Sequence, residues 1–120
     1  MILLPWLLTW LLIYSPGDYK SVQQYEIRET TLCAQGYLAY ASWEPDLIAI
    51  DMDCLNKQSW GPWDKVVVGA CGLAHEAEHI RLRTESECAP LLAQIACIKR
   101  CPWPPQWAIQ WYQGLAAKCG

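Results

Sequence analysis

The chain has no phenylalanine, two histidines, two methionines and, among seven cysteines, no Cys-x-x-Cys pair. Without such pairs a zinc ribbon has no ligand framework, although Cys97 and Cys101, at helical i,i+4 spacing, can supply half a site. Excess positive charge is also missing. The net charge is −3, so there is no basic stripe of the kind that binds nucleic acid, and no nucleic-acid partner is expected. No apolar run reaches the roughly 20 residues of a comfortable membrane span. Internal repeats and low-complexity tracts are absent, and 120 residues leave room for one core.

Cysteine and tryptophan are abundant by contrast, at seven and eight residues. Small proteins in oxidising compartments use disulfides to supplement a limited core, which favours export, while the odd count leaves at least one thiol unpaired within a monomer. Residues 1–17 form an apolar N-terminal helix or a signal or anchor segment. The uncharged run Ile2–Tyr14 has the length of a signal-peptide core, with Ser15 and Gly17 at the −3 and −1 positions of a cleavage site, but no Lys or Arg precedes it. The alternative is a buried first helix. Secretion or membrane association through residues 2–14 is thus favoured over a cytoplasmic location.

Residues 18–120 read as one α+β domain. After the Ser15-Pro16-Gly17-Asp18 breaker, QYEIRETTL alternates between Tyr25, Ile27 and Thr31 on one side and Glu26, Arg28 and Thr30 on the other, as in a half-solvated strand. GYLAYASW and DLIAIDM follow as two antiparallel strands around Glu44-Pro45, and a small three-stranded antiparallel meander is expected. NKQSWGPW reads as a loop. A helix then runs from Lys65 to about Arg83, buried in its apolar first half. Gly69 and Gly72 each weaken that helix by roughly 1 kcal/mol relative to Ala, which implies close approach by another backbone. A second helix begins between Ser86 and Pro90, because proline is tolerated only in the first turn. QWAIQWYQGLAAKC forms a short third one.

Both histidines fall in HEAEH, residues 75–79. On a helix, His75 and His79 lie one turn apart on one face, so both imidazoles can reach one ion, and Glu76 sits beside them where it can take a proton from an activated water. The alternative is a polar helix face with Glu76 and Glu78 solvated. A catalytic zinc site needs a third protein ligand, drawn here from Glu85, Glu87 and Cys88 in TESEC. If the chain folds straight back after Arg83, Glu87 comes level with His79; Glu85 would coordinate from the turn itself. Glu87 has a competing role in a capping box with Thr84, and Cys88 in a disulfide with Cys54 or Cys71.

The order of a small sheet, an H-E-x-x-H helix and a second helix bringing a glutamate resembles a minimal zincin of the gluzincin type. AHEAEHIR followed by ECAPLLAQ, with DMDCL upstream, is similar to small actinobacterial proteins that carry H-E-x-x-H and then Glu-Cys and Gln on the next helix. That resemblance implies Zn2+ held by His75, His79 and a following Glu, with Glu76 as general base. The sequence departs from the pattern in three places: the connection after His79 is short, Leu82 stands where metzincins need Gly, and Ala89 where some gluzincins carry Asp.

The expected function is therefore zinc-dependent hydrolysis of a peptide or protein substrate, with a substrate strand pairing along Tyr37–Trp43. The alternative is a non-catalytic zincin-shaped binding or structural domain stabilised by disulfides or a closed metal site. Trp103, Trp107 and Trp111, four residues apart, can form an aromatic wall for substrate or a membrane-facing edge, but core packing is the expectation. Arg81 and Arg83 can bind a substrate carboxylate, but a solvated helix end, where cations suit the helix dipole, is the expectation. Tyr37, Tyr40 and Tyr112 remain open as oxyanion partners, and the oligomeric state is open too.

Overall fold

A computed structural model describes residues 1–119. It is an α+β fold of six helices, α1 (Leu4–Tyr14), α2 (Pro16–Gln23), α3 (Met52–Lys57), α4 (Pro62–Leu82), α5 (Cys88–Lys99) and α6 (Gln106–Ala116), with strands β1 (Glu26–Glu29), β2 (Ala39–Trp43) and β3 (Asp46–Ile50) between α2 and α3. α4 is the hub. It packs against α1, α2, α3, α5 and the β2–β3 hairpin, which is why its first half is apolar around most of its circumference. Leu7 and Leu11 of α1, Ile48 of β3, Leu55 of α3, Leu73 and Ile80 of α4 and Ile98 of α5 are all fully buried in the resulting core.

The sheet is mixed, in the order β1-β3-β2, and not an antiparallel meander. β2 and β3 form the expected antiparallel hairpin, but β1 runs parallel to β3, with Ile27 opposite Ile48. Burial explains the correction. β3 carries the buried residues Ile48, Ala49 and Ile50 and takes the centre, where both flanks are covered, whereas the charged β1 suits an edge. The connection from β1 to β2 crosses the end of the sheet through a 3-10 turn at Cys33–Gln35 and a left-handed Gly36, φ 86°. Its position is set by Asp51, whose carboxylate accepts from the Leu32 and Cys33 N–H groups as well as from Cys54 at the start of α3. These hydrogen bonds hold the Asp51 carboxyl below the usual carboxylate range, with that from Leu32 contributing most. β2 is left as an edge strand.

Several local expectations change with the packing. Residues 16–23 form helix α2, with proline at its first position, and Met52–Lys57 is helical where a strand end and a loop were expected. No backbone presses on Gly69. A Cβ there would lie 2.7 Å from Leu55 Cδ2 and 3.1 Å from Leu7 Cδ1, so the residue makes room for side chains, and nothing lies within 4 Å of a Cβ built on Gly72. Trp103 and Trp111 are exposed, at 74% and 63%, as is Trp107 in part. α6 buries its Ala108 and Ile109 face instead.

Three disulfides are present: Cys33–Cys54, Cys71–Cys97 and Cys88–Cys119. Cys88 therefore pairs with neither Cys54 nor Cys71. Cys54 points to the crossover loop, Cys71 lies on the α4 face against α5, and Cys88, at the start of α5, is free to anchor the end of the chain. Cys101 is free and buried. Such a density of cross-links suits an oxidising compartment. No helix among the described residues is long and apolar enough to cross a membrane.

Candidate metal centre

α4 places His75 and His79 in the buried interface with α5, because four residues bring their side chains to the same face. Arg83, in the left-handed conformation at φ 52°, ends α4 and turns the chain back. The returning segment sets Glu87 immediately before α5. Its carboxylate meets both rings: Oε2 lies 2.8 Å from His75 Nε2 and Oε1 lies 2.9 Å from His79 Nε2. The two Nε2 atoms are 3.2 Å apart.

The far nitrogen of each ring is also engaged. His75 Nδ1 lies 2.8 Å from Gln94 Oε1, and His79 Nδ1 lies 2.7 Å from the Thr84 carbonyl. Both partners are acceptors, so a neutral ring at either position carries its proton on Nδ1 and presents an Nε2 lone pair. In that form two Nε2 lone pairs and a carboxylate face one another with no hydrogen to share. A cation satisfies all three, and one ligand atom from each of His75, His79 and Glu87 lies within 4.8 Å of the others. Two imidazoles and a carboxylate, with outer partners on the far ring nitrogens, could hold a metal ion.

Burial and charge set the ionisation of the group. Burial lowers the His75 pKa, opposed in part by the Glu87 carboxylate and reinforced by His79, a shift toward the neutral, ligating form. Burial also pushes the Glu76 carboxyl up to about 8, with the Glu87 charge adding to the shift. Glu87 itself is 59% exposed at its side chain, so this side of the group faces solvent.

Two cavities flank the site, of about 350 and 440 Å³, and His75, Glu76 and Glu87 line both. The second runs along the β2 edge past Ala39, Ala41 and Trp43 and also contains Thr84 and Glu85. Glu85 is thus nearby but is not part of the three-residue group. The Glu87 carboxylate goes to the histidines and not to a capping box; Thr84 Oγ1 accepts from Ser86 N–H and Ser86 Oγ from Cys88 N–H. Tyr37 borders both cavities, Tyr40 the second and Tyr112 the first. Burial raises the Tyr112 hydroxyl, against a hydrogen bond with Gln94 that lowers it. Arg81 pairs with Glu78, and Arg83 with Asp46 and the Trp43 carbonyl.

The Thr84 carbonyl is a site group that no sequence motif indicates, and Gln94 stands in the sequence only as the Gln of the resemblance, with no role assigned to it. Gln94 carries a legible signal, since it follows Glu87 by seven residues, two helical turns along one face. The Thr84 carbonyl carries none, because its direction depends on the left-handed turn at Arg83, which no glycine announces. In comparisons with protein-family models, curated proteins and solved structures, the chain matches none.

Proposed function

We propose that this protein is a zinc-dependent peptidase of zincin type, with His75, His79 and Glu87 holding the ion and Glu76 acting as general base. The observation that carries this reading is the convergence of the three ligand atoms beside a glutamate that opens onto the same cavities. When bound, the zinc would supply Lewis-acid polarisation of the scissile carbonyl and a lowered pKa for water.

The chain's own residues supply the rest. Glu76 takes a proton from the attacking water and delivers it to the leaving amine. Gln94 and the Thr84 carbonyl hold both rings in the ligating tautomer. The β2 edge offers unpaired backbone groups along the second cavity, where an extended peptide can add as a further strand. Tyr37 and Tyr112 are the hydroxyl-bearing side chains bordering the first cavity, and either can donate to a developing oxyanion.

The test combines metal analysis with peptide hydrolysis. Purified protein is expected to take up one zinc per chain and to cleave a mixed peptide library, with both properties lost to a chelator and restored by zinc. Uptake of no metal by the folded protein refutes the proposal. Metal uptake without cleavage would favour the non-catalytic metal-binding domain.

A further inference from the structure

The first cavity, lined by His75 and Glu76, also has an apolar lining. Leu55, Val68, Leu91 and Leu115 also line it, and Gly72 of α4 borders it. The two glycines of α4 differ in what surrounds them. Gly69 accommodates Leu55 and Leu7, whereas nothing in the protein lies within 4 Å of a Cβ at Gly72. A glycine in mid-helix costs stability, and at Gly72 no packing within the protein accounts for it. What its missing side chain leaves open is cavity, one helical turn from His75.

A third cavity, of about 490 Å³, shares Gly36, Tyr37, Leu38 and Tyr112 with this one and is also lined by Trp60, Trp107 and Trp111. Trp107 is held in place by a tilted ring contact with Trp60, with centroids 4.9 Å apart, and by an Nε1–H bond of 2.8 Å to Asp64. Trp111 is one turn further along α6 and remains 63% exposed. Exposed aromatic surface that continues into a lined cleft marks a binding surface.

We infer that this cleft selects an apolar peptide segment: a large aliphatic or aromatic side chain next to the scissile bond fills the space over Gly72, and a following aromatic residue packs on Trp107 and Trp111. This inference rests on the peptidase reading and names its substrate class. Gly72 and Trp111 are the specificity-determining residues.

Three peptide hydroxamates, which grip zinc through the hydroxamate, test it by calorimetry on the zinc-loaded full chain: Leu-Trp, Ala-Trp and Leu-Ala. Replacing leucine by alanine is expected to raise Kd at least about tenfold, and replacing tryptophan by alanine at least about threefold. Gly72→Leu should erase the first difference and Trp111→Ala the second, with zinc stoichiometry unchanged. Should Gly72→Leu not fold, Leu115→Trp narrows the same space from α6. Equal binding of the three probes to the wild type, or preferences that survive the substitutions, overturns the inference. Zinc-dependent cleavage of a peptide library without enrichment for large apolar residues overturns it while leaving the peptidase reading standing. A leucine preference among hydroxamates in a protein that cleaves nothing keeps the cleft and removes the peptidase. Failure of every hydroxamate to bind the zinc-loaded chain overturns both.

Discussion

Gln94 Oε1 lies 2.8 Å from His75 Nδ1, so a residue of α5 with no ligand role of its own determines which nitrogen of an α4 histidine faces the Glu87 carboxylate. The buried amide acts on the ligand before any ion arrives. Losing it frees the ring to rotate and to take the other tautomer. Gln94→Leu is therefore expected to weaken zinc affinity by about 10- to 100-fold with the fold intact, measured by chelator competition. Gln94→Glu, which keeps an acceptor, should recover most of the loss. Equal weakening in both variants would mean that the residue serves packing alone.

His75→Ala and His79→Ala should each abolish zinc binding, because the remaining pair makes an exposed two-point site. Glu87→Ala should weaken affinity far more than Glu85→Ala, since only the Glu87 carboxylate spans the two Nε2 atoms. Chelator competition on the four purified variants checks this. A loss confined to Glu85→Ala would place the third ligand in the turn.

Glu76→Gln preserves side-chain shape but cannot take a proton. The expected product is a folded, zinc-loaded protein whose peptide hydrolysis falls by at least about 100-fold. Wild-type turnover in this variant, with zinc content verified, would remove Glu76 from the mechanism.

Asp51 predicts an acid limb in stability. Its folded-state pKa is depressed, chiefly by the Leu32 N–H and then by that of Cys54, so the stabilisation it contributes is present above the unfolded carboxylate value of about 3.9 and is lost as pH falls through the depressed one. Asp51→Asn should lower the denaturation midpoint at pH 7 and flatten the decline on the acid side of about pH 4. Denaturant unfolding of both proteins across that range measures the effect. Parallel acid profiles would show that other carboxylates carry it.

Cys88 follows the candidate ligand Glu87 but is tied to Cys119. Cys88→Ser should leave zinc affinity within about threefold of wild type while costing about 2–5 kcal/mol of stability, the range for loss of a native disulfide in a small domain. A collapse of zinc affinity at unchanged stability would make the thiol a ligand.

What the sequence determined is local. HEAEH on a helix puts two imidazoles on one face whatever surrounds them, because the relation follows from 3.6 residues per turn. The two helices around TESEC, the β2–β3 hairpin and the disulfide-rich composition were legible for similar reasons of short range or simple count. Long-range competition decided the remainder. β3 took the centre of the sheet from β2 because Ile48, Ala49 and Ile50 bury most deeply there, and the meander gave way to a parallel β1–β3 pair. The tryptophans of α6 were left outside because one helix face can be buried once, and Ala108 and Ile109 took that place. The group around the histidines shows the same division. The α4 pair follows from helix period alone, whereas Glu87, Gln94 and the Thr84 carbonyl reach them only because Arg83 turns left-handed and α5 packs back along α4, and that geometry exists only in the folded chain.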